Sequence, residues 1–301
     1  MSIQAGYKGI GVSIIGYIKH PAKVMWEMLK QTWIELQDLE YDPKNLKVQE
    51  FIRGSLEKRL NPTPLETVVI QAVFKNISRV NLAQLTRHRG WLFQVESQMP
   101  QHVEHNVILP LNIVNSEFYE RAVKLIEDSQ KLYDDMTAGN DCKETTGIPY
   151  QDARYLLMHG QTCDASCSFT LPQLVNVCGQ RLENNTADEI NYAFRLLLLK
   201  LRKAIMEDDE MDEMDKFIYT YSLGRCDCFG ATAGKCFTCD DVFGNSFKRF
   251  ADGNLYVTAA TKNCKSDFKK SAWYAELKRI YTEEPELLLP GEKEMIESWE
   301  A

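Results

Sequence analysis

Arg87-His88-Arg89, followed by seven residues and then Ser97, is the densest run of chemistry-capable side chains in the sequence. Two guanidinium groups flanking an imidazole can hold phosphate. Arginine offers a planar fork of donors, and histidine bonds charged or neutral partners. The plainer reading is a solvated basic turn at a helix end, where cations meet the negative end of the helix dipole. Gln84 lies three residues before Arg87, and Arg154, Asn176 and Arg181 follow at a distance. The polar end of Gln84 could converge with those of Arg87 and His88 on one ligand.

A second constellation is Cys226-x-Cys228, seven residues, then Cys236-x-x-Cys239. It has the spacing of a small four-thiolate zinc site, with Gly224, Gly230 and Gly234 allowing tight loops around a tetrahedral ion. Left unligated, the same thiols would join Phe229, Phe237 and Phe243 in a compact apolar cluster, and both readings stand. Cys163, Cys167 and Cys178 read as small buried hydrophobes. Cys178, three residues before Arg181, is also the candidate for a thiol nucleophile. His102 and His105 lack a nearby ligand set, so a surface or core role is expected.

Composition limits what these groups can serve. The chain has 301 residues, 44% hydrophobic and 26% charged, in the ordinary range for a soluble globular protein. Its formal net charge of −8 excludes broad binding to nucleic acid, so an anionic ligand must be held by a local group of arginines. Lys262, Lys265, Lys269 and Lys270 read as a solvated face. No apolar run is long enough for a membrane span, and MSIQAGYKG lacks a signal-peptide core. A cytoplasmic location is expected. The nine cysteines are then thiols or metal ligands rather than disulfides.

Several elements must position the cluster. Ile10 to Ile18 reads as a strand, and Pro21 sits where a first-turn proline opens an amphipathic helix through Leu36. Gln37 to Pro64 shows weak periodicity. Val68 to Phe74 is β-branched and aromatic, a strand. Ser78 is the N-cap of a helix through about Arg87, on which Gln84, Arg87 and His88 would share a face, with Gly90 as the stop. Trp91 to Gln98 would bring Ser97 back to the cluster. Ser116 to Met136 reads as a helix with its core face on Tyr119, Ala122, Ile126, Ser129, Tyr133 and Met136. Pro149 opens a helix carrying Arg154, and Pro172 opens a short one carrying Asn176 and leading to Arg181. Thr186-x-x-Glu189 is a capping box before a helix with Ile190, Phe194, Leu197, Leu198, Leu201 and Ile205 on one side. After Met206 an acidic run, Glu207 to Asp215, changes the character of the chain. The expected domains are 1–206 and an acidic linker with a Cys-rich extension, 207–301.

Arg-His-Arg, seven residues, then Ser resembles the signature of the flavin-dependent thymidylate synthases. Pro62-Thr63-Pro64-Leu65-Glu66 resembles the lead-in to that family's strand. Gly147-Ile148-Pro149, Ala153-Arg154, Leu174-Val175-Asn176, Arg181 and Ala187-Asp188-Glu189-Ile190 resemble its C-terminal half. The resemblance covers roughly residues 10 to 206. It implies an α+β fold, helices packed on a mixed sheet, and a homotetramer with shared active sites. It implies FAD at Arg87, His88, Arg89 and Asn176, and a pyrimidine deoxynucleotide, dUMP or dCMP, at Gln84, Arg87, Ser97 and Arg154. Arg181 would lie against the pyrimidine and favour its ionised form. The implied reaction moves a one-carbon unit from methylenetetrahydrofolate to C5 by way of reduced FAD, with NADPH as reductant, turning dUMP into dTMP.

The sequence departs from the family's pattern at Thr67, Val95, Met99, Thr170 and Pro172. These changes surround the flavin and nucleotide contacts. They keep open C5 hydroxymethylation of dUMP or dCMP on the same scaffold, and a non-catalytic nucleotide-binding homologue.

Overall fold

Period-two burial in the strands and period-3.6 burial in the helices build an α+β chain, which the computed structural model describes over residues 2–57, 63–98, 106–139, 147–182, 188–224, 272–288 and 292–300. The described strands are β1 (Ser2–Ala5), β2 (Gly11–Tyr17), β3 (Val69–Ser78), β4 (Leu92–Val95), β5 (Asn106–Leu109) and β6 (Thr162–Thr170). The helices are α1 (Pro21–Thr32), α2 (Leu46–Glu57), α3 (Arg79–Leu85), α4 (Leu111–Val114), α5 (Tyr119–Thr137), α6 (Tyr150–Ala153), α7 (Leu171–Arg181), α8 (Asp188–Met206), α9 (Glu213–Gly224), α10 (Ala272–Glu283) and α11 (Glu292–Glu300). One sheet has the order β2-β3-β6-β4, and β1 pairs separately with β5. Among the described residues no helix is long and apolar enough to cross a membrane. The Cys226, Cys228, Cys236 and Cys239 set, His102, His105, Thr186 and the Lys262–Lys270 group lie outside the described residues.

The chain divides into two compact units: Met1–Gly11, Val73–Arg87 and Phe93–Ser166, then Val12–Ala72, His88–Leu92 and Cys167–Ala301. In the first, β1 runs parallel to β5 with Ser2 opposite Asn106 and Ala5 opposite Leu109. Val107, Leu109 and Ile126 form its apolar centre, with Ile3, Ile113, Tyr119 and Met158 packed around it. The expected face of α5 is the one used, with Ile126 and Tyr133 fully sheltered. Asn76 takes φ 56 within β3. Its amide donates to Gln4 Oε1 and the Gly9 carbonyl, and its backbone N–H to Asp164, so local bonds hold a conformation that asparagine tolerates.

The second unit starts from α1. Pro21 opens it as expected, and Met25, Trp26 and Leu29 point into the core. Helix α2 and strand β6 are additions that periodicity did not show, as is the β1–β5 pair. The acidic run is tied down rather than merely solvated. Asp208 accepts from Tyr17 at 2.7 Å and Asp212 from Tyr41 at 3.0 Å. Asp215 accepts the Ala22 N–H at 3.0 Å, placing negative charge at the positive end of α1.

Helix α8 was expected to bury one side, yet every residue from Ile190 to Leu198 is buried. The reason is its cover. Arg195 reaches Glu292 of α11 through both terminal nitrogens, at 2.6 and 2.7 Å, with both side chains 1% exposed. Its Nη1 also donates to the Leu287 carbonyl and its Nε to Asn191. Arg279 of α10 forks between Glu276 and Glu284, each at 2.7 Å. Removing one partner of such a sealed pair strands a charge, at a cost of about 3–5 kcal/mol. Glu292→Ala is expected to lower the urea midpoint accordingly, whereas Arg195→Met with Glu292→Leu recovers most of the loss. A Glu292→Ala protein as stable as the parent would show the pair to be dispensable.

Candidate active site

The first unit carries a cleft of about 320 Å³ lined by Arg79, Gln98, Arg154, Tyr155, Leu157, Met158 and His159. Its walls follow from two capping events. The Ser78 hydroxyl accepts the Asn81 N–H at 3.0 Å and starts α3, as the sequence indicates. The next two N–H groups, of Arg79 and Val80, donate to the carbonyls of Gln161 and His159 at 3.0 and 3.1 Å. The first turn of α3 is thereby fixed to the segment entering β6.

Gln98 is held to Gln161 at 3.0 Å, and Arg79 Nη2 donates to the Glu96 carbonyl at 3.1 Å. Arg154 follows α6, and its Nε donates to the Gln151 carbonyl at 3.1 Å. Among the described residues neither Arg79 nor Arg154 has a carboxylate partner, and the buried Arg79 Nε has no acceptor. An uncompensated buried donor costs about 1–3 kcal/mol.

Of the residues singled out from the sequence for nucleotide binding, Arg154 lines this cleft. Ser97 is exposed beside Gln98, Gln84 is half-buried on α3, and Arg87 is exposed beyond its end. Arg79, Gln98, Tyr155 and His159 went unnoticed. One signal existed for Arg79. A cation immediately after an N-cap serine sits at the unfavourable end of the helix dipole, so a purely local reading leaves it unexplained.

The shared helical face of Gln84, Arg87 and His88 does not form. Helix α3 stops at Leu85, with Thr86 at its C-terminus bonding back to the Leu82 carbonyl at 3.0 Å. A threonine hydroxyl that satisfies a terminal carbonyl favours an end there. Arg87 and His88 then lie in a turn.

In the second unit, Arg181 Nε donates to His88 Nε2 at 3.0 Å. The imidazole must therefore present a lone pair. Burial, and then the Arg181 charge, push His88 down to about 4. The Arg-His-Arg cluster thus holds a neutral imidazole at neutral pH. His88 packs near Trp91, with ring centres 5.6 Å apart, and Trp91 lies 4.4 Å from Phe169. Gly90 has φ +85, a left-handed backbone conformation that favours glycine, and a Cβ there would fall 2.5 Å from the end of the Gln173 side chain. Arg89 and Asn176 are exposed.

Three departures from the family pattern have structural roles here. Thr170 and Gln173 form a reciprocal capping box on α7, and Pro172 occupies its first turn. Thr170 Oγ1 also donates to Glu66 at 2.7 Å, and Thr67 donates to the Pro64 carbonyl at 2.6 Å. Cys178 is 0% exposed and burial pushes its thiol well up, which removes it as a nucleophile. Cys167 is pushed up to about 12, and Cys163 is buried. Among the described residues no group of His, Cys, Asp or Glu could hold a metal.

His88 supplies a pH test. Its folded pKa lies below the unfolded value of 6.5, so its contribution to stability is intact above about pH 6.5 and declines toward pH 4. Titration followed by NMR of the ring is expected to show a neutral imidazole down to about pH 4. Arg181→Gln moves that midpoint up but short of 6.5, because burial is the larger cause. A midpoint near 6.5 in the parent protein would contradict the Arg181–His88 geometry.

Residues 13–205 match the family described as thymidylate synthase complementing protein, Thy1. Three solved structures match the chain. The UMP/dUMP methylase PolB from Streptomyces cacaoi, bound with 5-Br dUMP, is 14% identical with a TM-score of 0.56, covering 77% of this chain and 100% of that one. The same methylase bound with 5-Br UMP is 14% identical with a TM-score of 0.52, covering 77% and 99%. Thymidylate Synthase X from Helicobacter pylori with FAD and dUMP is 16% identical with a TM-score of 0.48, covering 70% and 97%. No curated protein sequence matches the chain. The match runs through β2, the Arg87-His88-Arg89 turn, Arg154 and α7 to the end of α8, well over half the chain, and so the chain belongs to the thymidylate synthase complementing protein family.

Proposed function

We propose that the protein transfers a one-carbon unit from methylenetetrahydrofolate to C5 of a uridylate nucleotide, with dUMP to dTMP as the leading reaction. The observation that carries this reading is Arg154, set within the family-matched region in a cleft where no described carboxylate offsets its charge. A phosphate monoester, nearly a dianion at neutral pH, is the ligand such a guanidinium favours. UMP and dUMP are also the substrates that the PolB description gives for that methylase.

The other roles follow the family resemblance. Gln84, Arg87 and Ser97 hold the nucleotide, and Arg181 stabilises the pyrimidine ring in its ionised form. Arg87, His88, Arg89 and Asn176 are the FAD contacts. The exposed guanidinium of Arg89 and exposed amide of Asn176 are donors suited to a flavin's phosphates and ring carbonyls, and the neutral His88 can accept as well as donate. When bound, the flavin supplies electron transfer that no side chain of this protein can perform. The protein's own part is to bind, orient and polarise the nucleotide. No thiol is required.

A second reading is C5 hydroxymethylation of dUMP or dCMP. It is favoured by Thr170 and Pro172, which cap α7 at positions where the family places flavin contacts. The redox arithmetic separates the two. A methylene unit becomes a methyl group by gaining a hydride, so NADPH is consumed. It becomes a hydroxymethyl group by gaining hydroxide, and NADPH is spared. The working assembly is proposed as a cytoplasmic homotetramer of 1–206 catalytic domains, with 207–301 as an extension whose Cys226, Cys228, Cys236 and Cys239 bind zinc.

Incubation with dUMP, methylenetetrahydrofolate, FAD and NADPH, followed by mass spectrometry, is expected to yield the 5-methyl nucleotide with matching NADPH oxidation. Arg154→Gln should raise the KM for dUMP about tenfold or more. A hydroxymethyl product without NADPH oxidation would install the second reading. A protein that binds neither flavin nor nucleotide would remove both.

A further inference from the structure

We infer that Arg79, outside the Arg-His-Arg signature, is a second substrate-positioning arginine that grips the nucleotide 5′-phosphate beside Arg154. This rests on the uridylate chemistry proposed above and adds a residue to it.

Three observations converge on Arg79. It lines the same cleft as Arg154, with Gln98 and His159 supplying further polar groups. Its charge is uncompensated among the described residues, unlike those of Arg195 and Arg279, which are paired with carboxylates. Its side chain spends one bond, Nη2 to the Glu96 carbonyl, and keeps a buried Nε with no acceptor. A side chain kept only for structure would be expected to satisfy that donor or to be replaced by a neutral residue.

Its position argues the same way. The first turn of α3 is the end where a cation is least favourable, and its backbone N–H already has Gln161 as partner. An incoming dianion reverses the sign of that interaction. It is attracted to the Arg79 guanidinium. The single bond to Glu96 then fixes the direction of the fork before the ligand arrives, which is how a planar donor set gains specificity.

The experiment compares dUMP with deoxyuridine, which lacks the phosphate, by calorimetry on the full-length protein. Arg79→Gln keeps a polar amide but removes the charge; Arg79→Lys keeps the charge. Thermal melts check that both variants fold. Arg79→Gln is expected to weaken dUMP about tenfold to a hundredfold and deoxyuridine by less than about twofold, with Lys recovering part of the loss. Affinity of the parent for dUMP should rise as the phosphate loses its second proton near pH 6, and the Gln variant should flatten that rise.

Equal losses for both ligands, or none for either, would overturn the inference, as would a parent protein that binds no phosphate monoester. If the parent turns over dUMP and the Gln variant keeps its KM, Arg79 has no such role while the uridylate reading stands. If the parent ignores dUMP but binds AMP in an Arg79-dependent way, the phosphate role stands and the uridylate reading falls.

Discussion

Compensation of arginine charge organises this acidic molecule. Arg195 is buried, paired with Glu292 through two short bonds and bonded also to Asn191 and the Leu287 carbonyl, so it acts as a fastener between α8 and the C-terminal helices. Arg279 does the same with Glu276 and Glu284. Arg79 and Arg154 have no such partner among the described residues and border a cleft. In a chain of net charge −8, an uncompensated guanidinium in a concave site is a scarce resource for anions. Sealed pairs give rigidity; open ones give binding.

Helix termini carry the second layer of organisation. Ser78 starts α3 and Asp215 completes the start of α1, while Thr170 with Gln173 starts α7. Each cap fixes where a chemically useful side chain leaves its helix. The cap at Thr170 leaves the Gln173 side chain near Gly90, in the turn that carries His88, and the other end of α7 brings Arg181 to the His88 imidazole. The result is a histidine kept neutral by burial and a neighbouring cation, able to accept a hydrogen bond where a charged ring could only donate.

Much of this was legible from the chain. Strand β2, the proline starts of α1 and α7, the Ser78 cap and the core stripe of α5 are local events, and local signals reported them. The weakly periodic stretch that folds into α2, the β1–β5 pair and the full burial of α8 depend on partners distant in sequence. The end of α3 falls at Leu85 rather than near Arg87 because the stop signal in the sequence is Gly90, whereas the Thr86 hydroxyl satisfies the Leu82 carbonyl earlier.

The sequence by itself determined the family, through a motif and a second block whose spacing survives wide divergence, and it identified Arg154 and Arg181 as arginines of interest. Tertiary structure alone decided which charges are spent. Whether a guanidinium is a fastener or a binding group depends on what lies across from it, and a linear chain does not record that. It placed Arg79 beside Arg154, turned Arg181 toward His88, buried Cys178 beyond the reach of ionisation and gave Thr170 a cap to make. Pairing and desolvation act through space, so these assignments appeared only once the chain was folded.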